Sequence, residues 1–140
     1  VLRQCLEASI QVCTPDLVLV SPALRTRQTW DLAGPHLGDV PQVRVDDPLY
    51  DATAGDLLEV VRGTDATVRT LLLVGHNPGT EDLAAVLTGD VAQVGGDDAA
   101  RESMAEKFPT SGIAVLRFLD EWADVAPQCG ELVAFHVARG

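Results

Sequence analysis

Apolar side chains recur along this chain with two periods, and the switches between them lay out its elements. Leu2, Cys5, Leu6, Ile10 and Cys13 fall at helical spacing, with small Ser9 on the same stripe. The stripe is already running at Val1, and nothing in front of it serves as a cap. The expectation is a chain that starts inside a helix, with a segment missing before it. Thr14-Pro15-Asp16 breaks that helix. Leu17-Val18-Leu19-Val20 then reads as a buried strand, a short β-branched run bounded by turn residues. Ser21 and Pro22 follow at once, Ser as an N-cap and Pro at the first helical position. They predict a helix through about Leu32, ended by Gly34-Pro35.

The same alternation continues downstream. Val43-Arg44-Val45 is a short strand candidate. Thr53 with Asp56 three residues on forms a capping box for a helix whose apolar face is Leu57, Leu58, Val60 and Val61, ended by Gly63. Thr70 through Val74 reads as a second buried strand. Gly75-His76-Asn77-Pro78 turns the chain into another helix, with Asn77 as cap and Pro78 at the first position. There Leu83, Val86 and Leu87 face the core and Gly89 stops the helix. Gly89 to Lys107 is the least regular stretch, with a short helical candidate from Ala99 to Glu106. Gly112 to Phe118 and Glu131 to Val137 read as late strands joined by a polar connection, Asp120 to Gly130. Strands alternating with helices predict the α/β class: a three-layer sandwich, its central sheet mostly parallel, helices on both faces. The length fits one domain over residues 1–140.

Composition narrows the function classes. A formal net charge of −11 argues against nucleic-acid binding, which needs clustered Lys and Arg. An anionic substrate must then find a local positive site on a negative surface. The longest apolar runs, such as Leu71-Leu72-Leu73-Val74, are too short to span a bilayer, so no membrane partner is expected. No signal peptide stands at Val1-Leu2-Arg3-Gln4-Cys5. The three cysteines, Cys5, Cys13 and Cys129, show no CxxC spacing and read as free thiols in a reducing, cytoplasmic compartment. Asp97 and Asp98 lack the spaced oxygen ligands of a calcium loop, and no metal or cofactor is expected. Trp30 and Trp122 are expected in the core or half-buried.

Two strand-to-helix turns carry the chemistry, and in α/β sheets ligands bind beyond the carboxyl ends of the strands. In Ser21-Pro22-Ala23-Leu24-Arg25-Thr26-Arg27-Gln28-Thr29, Arg25 lies in the first helical turn, where free N–H groups already favour an anion. Its guanidinium adds a forked, permanent cation suited to phosphate oxygens. The plainer alternative is a surface Arg paired with a carboxylate. In Gly75-His76-Asn77-Pro78, His76 leaves the end of a buried strand and can donate to a phosphoryl group. The plainer alternative there is a His that caps the turn or sits satisfied in the core. Gln28 and Thr29 read as packing and capping residues. Ser21 reads as a cap and not a nucleophile, since no Gly-x-Ser-x-Gly surrounds it.

Ser-Pro-x-x-Arg-Thr-x-Gln-Thr after one strand and Gly-His-Asn-Pro after a later one resemble the marks of the histidine phosphatase superfamily, with the spacing of its compact SixA-type branch. Phe108-Pro109-Thr110-Ser111-Gly112 before a strand resembles that branch too. The resemblance runs from about Pro15 to Val137 and implies a phosphoglycerate mutase-like fold. It also implies phosphoryl transfer to a histidine, followed by hydrolysis of that phosphohistidine, with a phosphorylated (phosphohistidine) protein as partner. In the family the phosphate is held by an Arg and a His from an N-terminal Arg-His-Gly, plus one later Arg and one later His. By motif position these later groups are Arg25 and His76, the catalytic and phosphate-binding candidates. Asp51 is the candidate general acid, with Asp46 and Asp47 as rivals and an acidic surface loop as the alternative for all three.

The sequence departs from the pattern at one place. No Arg-His-Gly occurs anywhere in it, and His36 and His136 read as surface or core residues. The family puts that motif at the end of a first strand, before the helix that here begins at Val1. The expectation is therefore an N-terminally truncated domain with its first strand missing, or a pseudoenzyme, inactive in either case. Two further readings stay open. A small-molecule phosphomonoesterase of the same superfamily is disfavoured by the compact length. A non-catalytic module would use Arg25 and His76 only to hold phosphate. Oligomeric state is not legible.

Overall fold

The computed structural model describes residues 14–109 and 112–137. The expected first helix, and whatever precedes Val1, lie outside the described residues. Three parallel strands form the sheet that matters for function: β1 (Leu17–Val20), β2 (Gln42–Val45) and β3 (Leu71–Val74), in the order β2-β1-β3. β1 is flanked on both sides, so all four of its side chains are buried, none more than 2% exposed. At about 2 kcal/mol for each apolar side chain removed from water, this short strand anchors the fold. β3 is half-buried and β2 exposed, so the second buried strand expected from sequence is less enclosed than the first. The two late strands, β4 (Gly112–Arg117) and β5 (Glu131–Val137), pair antiparallel as a separate sheet.

The chain crosses between strands through helices, as parallel pairing requires. α1 (Leu24–Ala33) follows β1, α2 (Ala54–Arg62) follows β2, and α3 (Gly79–Leu87) follows β3. A four-residue helix α4 (Val91–Val94) and α5 (Asp98–Glu106) complete the set. The capping box at α2 forms in both directions: Asp56 N–H donates to Thr53 Oγ1 at 3.2 Å, and Thr53 N–H donates to Asp56 Oδ2 at 3.0 Å. Asp97, in the glycine-acid run, caps α5 by accepting from Ala100 N–H at 3.1 Å. The main core joins Leu17 and Leu19 to Leu49, Leu57, Val61, Leu83, Leu87 and Val125. A second cluster under β5 packs Ala84, Met104, Phe108 and Leu132.

Two helix starts differ from the sequence reading. Ser21 and Pro22 do not open α1; its cap position is Ala23, which makes no side-chain cap bond. Ser21 remains part of the sheet, its N–H donating to Val74 O at 3.0 Å, and its hydroxyl is engaged elsewhere. Nor does Asn77 cap α3. Its side-chain amide donates to Phe108 O at 3.0 Å, and the helix begins at Gly79. In both cases a tertiary acceptor or donor outcompetes the local cap. Val86, expected inward, is 38% exposed, while Leu83 and Leu87 are buried as expected. α3 ends at Leu87 with Thr88 at the C-cap, before Gly89. The polar connection before β5 hides an anchor: Val125 is fully buried, and Trp122 Nε1–H donates to Val68 O at 2.6 Å. Both tryptophans are half-buried.

Candidate active site

Register decides where the site lies. Val20 pairs with Val74 on one side and with Val45 on the other, so all three parallel strands end at one level. The ladder runs one step further on each side: Ser21 N–H donates to Val74 O at 3.0 Å and Asp46 N–H to Val20 O at 2.9 Å. Three turns therefore leave the same edge together. They carry Ser21 to Arg25, Asp46 to Asp51, and Gly75 to His76.

The first and third turns meet. Arg25 Nε and Nη2 lie 3.2 Å and 2.8 Å from His76 Nδ1, although 51 residues separate them in sequence. On its other side His76 Nε2 lies 2.7 Å from Ser21 Oγ. The partners fix the tautomer. A guanidinium only donates, so Nδ1 must be the unprotonated nitrogen and accept. Nε2 then carries the proton and donates to the Ser21 hydroxyl. Burial pushes the His76 pKa down, the Arg25 cation pushes it further down, and the Asp51 carboxylate opposes both. His76 is a neutral imidazole held between a buried hydroxyl and an exposed cation.

Each turn is fastened for this purpose. Ser21 is fully buried. Thr26, also buried, donates its hydroxyl to Ser21 O and Ala23 O, each at 2.8 Å, closing the loop below Arg25. Thr29 does the same one turn on, donating to Arg25 O at 2.9 Å. Gly79 is needed where α3 meets the second turn, since a Cβ there would collide with the Ala52 carbonyl oxygen. That close approach draws the Asp46–Ala52 segment against the start of α3. Within it Leu49 is buried, Asp51 adopts a left-handed φ of 54°, and Tyr50 stands edge-on to His76 with ring centroids 5.9 Å apart. Asp is one of the few residues that tolerate such a backbone.

Of the residues singled out from sequence, the structure brings Arg25, His76 and Asp51 to one place. The Asp51 carboxylate favours the protonated form of His76, against burial and Arg25. Arg25 is not a member of the ion pairs found among the described residues, Arg62–Glu59 and Arg117–Glu131. Neither His36 nor His136 is a partner in the hydrogen bonds that join Ser21, Arg25 and His76. His36 lies exposed just past the far end of α1, and His136 faces Ile113 in the β4–β5 pair. Cys129 is half-buried and free, while Cys5 and Cys13 lie outside the described residues. Among the described residues no group of three or more His, Cys, Asp or Glu gathers as a metal cage, and no helix is long and apolar enough to cross a membrane. Sequence reasoning missed the role of Ser21, because a Ser before Pro at a strand end fits an N-cap equally well. Tyr50 carried no signal beyond lying in the acidic run.

The arrangement offers two nitrogen-bearing groups at the open end of a parallel sheet. α1 adds its first-turn amides, with neither a side-chain cap nor an acidic residue in that turn. Donors and dipole arranged in this way can hold an oxyanion.

No family model matches the chain. Two uncharacterised proteins of Mycobacterium tuberculosis, from strains CDC 1551 / Oshkosh and H37Rv, are each 50% identical to it over 125 residues. Those alignments cover 89% of this chain and 74% of each relative. An uncharacterised protein of Mycobacterium leprae is 37% identical over 122 residues, covering 87% of this chain and 71% of the relative. Among solved structures, one assigned as the phosphohistidine phosphatase SixA of Nakamurella multipartitia superposes with a TM-score of 0.76 at 29% identity, covering 97% of this chain and 77% of that one. A second, assigned as SixA of Agrobacterium tumefaciens, gives 0.67 at 28% identity over 95% of this chain and 73% of that one. The protein histidine phosphatase SixA complexed with tungstate shares the fold, with a TM-score of 0.68 at 24% identity, over 97% of this chain and 76% of that one.

Proposed function

The chain belongs to one family with these mycobacterial proteins and has the SixA-type histidine phosphatase fold, and from that premise we propose that it is the phosphoryl-holding part of a phosphohistidine phosphatase. The observation that carries this reading is the contact of Arg25 with His76 Nδ1 at 2.8 Å. Two groups able to donate to anions share one opening, where the cation donates to the imidazole. A phosphoryl dianion placed between them accepts from both. It favours a proton on Nδ1 and turns the cation–imidazole contact into two charge-assisted bonds to oxygen. Phosphoryl transfer rewards such positioning and charge stabilisation above all. On this reading Asp51, whose charge acts on His76, returns a proton to the departing group as general acid. The partner on this reading is a phosphorylated protein carrying phosphohistidine, in keeping with the names of the solved neighbours.

The nucleophile of the family is a histidine in Arg-His-Gly, which the 140-residue sequence does not contain. This polypeptide alone therefore binds phosphoryl groups and does not turn them over. Two measurements test the reading. Tungstate binding, followed by calorimetry, is expected in the wild type and weakened about a hundredfold by Arg25→Ala, from the loss of the charge-assisted bonds that its Nε and Nη2 can each donate, at about 1.5 kcal/mol apiece. Unchanged affinity in the variant removes the phosphoryl site. Incubation with a phosphohistidine peptide is expected to release no phosphate beyond stoichiometry, and sustained turnover by the chain overturns the second part.

A further inference from the structure

We propose that Tyr50 is the platform against which the leaving group of the substrate packs, so that the site prefers the flat imidazole of a phosphohistidine to an alkyl phosphate. The inference rests on the phosphoryl-site reading above and concerns the part of the substrate that Arg25 and His76 do not hold. Tyr50 is 61% exposed, yet the backbone on both sides of it is fixed. Leu49 before it is 1% exposed and belongs to the main core. After it, the Ala52 carbonyl fills the space left by the absent Cβ of Gly79, and Thr53 opens α2 through the capping box. A large ring kept in water on a pinned backbone is an unusual use of an aromatic residue. Its one aromatic contact among the described residues is His76, at 5.9 Å between centroids with the planes at 80°.

Tyr50 borders the His76 side of the proposed phosphoryl position. An imidazole bonded to a phosphorus held by Arg25 and His76 begins one bond beyond the phosphoryl group. Where that ring lies on the Tyr50 side of His76, the two rings pair over roughly 4.5–7 Å. A protonated imidazole adds attraction to the ring face of Tyr50. The leaving group of a phosphoserine presents only an alkyl carbon and gains neither.

Binding of three probes to the full chain tests this: inorganic phosphate, a peptide carrying a non-hydrolysable triazole phosphonate analogue of phosphohistidine, and the same peptide with phosphoserine. The wild type is expected to prefer the phosphohistidine analogue to phosphoserine. Tyr50→Leu should weaken the analogue peptide about fivefold, the scale of one aromatic pair, and leave phosphate and the phosphoserine peptide unchanged. Tyr50→Phe should keep the wild-type preference. A preference that survives Tyr50→Leu overturns the inference. So does an equal loss for all three probes, which marks a ring that only props His76. Failure of the wild type to bind inorganic phosphate is a different result, since it removes the phosphoryl site on which the inference stands.

Discussion

After β1 the chain turns on bonds made within its own few residues: Thr26 reaches back to Ser21 O and Ala23 O, and Thr29 to Arg25 O. After β3 the turn is held from far away. Asn77 donates to Phe108 O, 31 residues on, and Gly79 lies against Ala52 O, 27 residues back by its number. The first turn delivers an exposed cation whose charge needs no environment, since a guanidinium stays protonated anywhere. The second delivers an imidazole whose charge state depends on what surrounds it. A self-contained turn suffices for a group with fixed chemistry. A group whose proton must be set has to be placed by several distant elements at once. The contact between Arg25 and His76 is where the two kinds of construction meet.

The largest effect that would break this comparison is Gly79→Ala. The added Cβ meets the Ala52 carbonyl, which is backbone and has little room to yield. A loss of about 1–3 kcal/mol in chemical denaturation is expected, the usual scale of overpacking, with weakened tungstate binding as the displaced Gly79 shifts the turn that carries His76. Wild-type stability in this variant would mean that the second turn is not fastened by the close approach.

Ser21→Ala probes the point where the first turn reaches across to the second. The variant keeps the sheet bond of the Ser21 backbone but leaves the His76 Nε2–H without its buried acceptor. A cost of about 1–2 kcal/mol is expected from the unmade bond. An NMR signature of the imidazole should keep the Nε2–H tautomer, because the Arg25 guanidinium still requires Nδ1 to accept. A shift to the Nδ1–H tautomer or a mixture would mean that the hydroxyl, and not Arg25, sets it.

The smallest expected effect sharpens the electrostatic side. His76 has its pKa lowered in the folded chain, first by burial and then by Arg25. The unfolded chain therefore takes up the proton first as pH falls. This group's share of stability is present above the ordinary imidazole pKa of about 6.5 and is lost as pH drops through it towards the lower folded value. Tungstate should reverse the sign locally, since a bound dianion favours the imidazolium. Thermal melts between neutral and mildly acid pH, with and without tungstate, check this, as does proton uptake on binding measured in buffers of different ionisation enthalpy. No proton uptake would mean that His76 stays neutral when the anion binds. Because His76 is only partly buried, solvent screens these effects and keeps them modest.

The strands, the helices after them and the two loaded turns were legible from residue types alone. Leu17-Val18-Leu19-Val20 has no reading but a buried strand, and the capping box at Thr53 and Asp56 is a local pattern that the fold had no reason to override. Arg25 and His76 could be named because each follows a strand and motif position links them. Side-chain partnership was not legible. Ser21 and Asn77 were both read as caps, since nearby amides are the only partners a sequence can display; folding gave them His76 and Phe108 O instead. Tyr50 showed nothing of its place beside His76, and Val125 in a polar stretch showed nothing of its burial. Local order follows from side-chain shape and backbone preference, which each short segment carries with it. The proton on His76, the carboxylate that reaches it and the ring beside it were decided only when register brought three strand ends to one level, because hydrogen bonds and charges act across space without regard to distance along the chain.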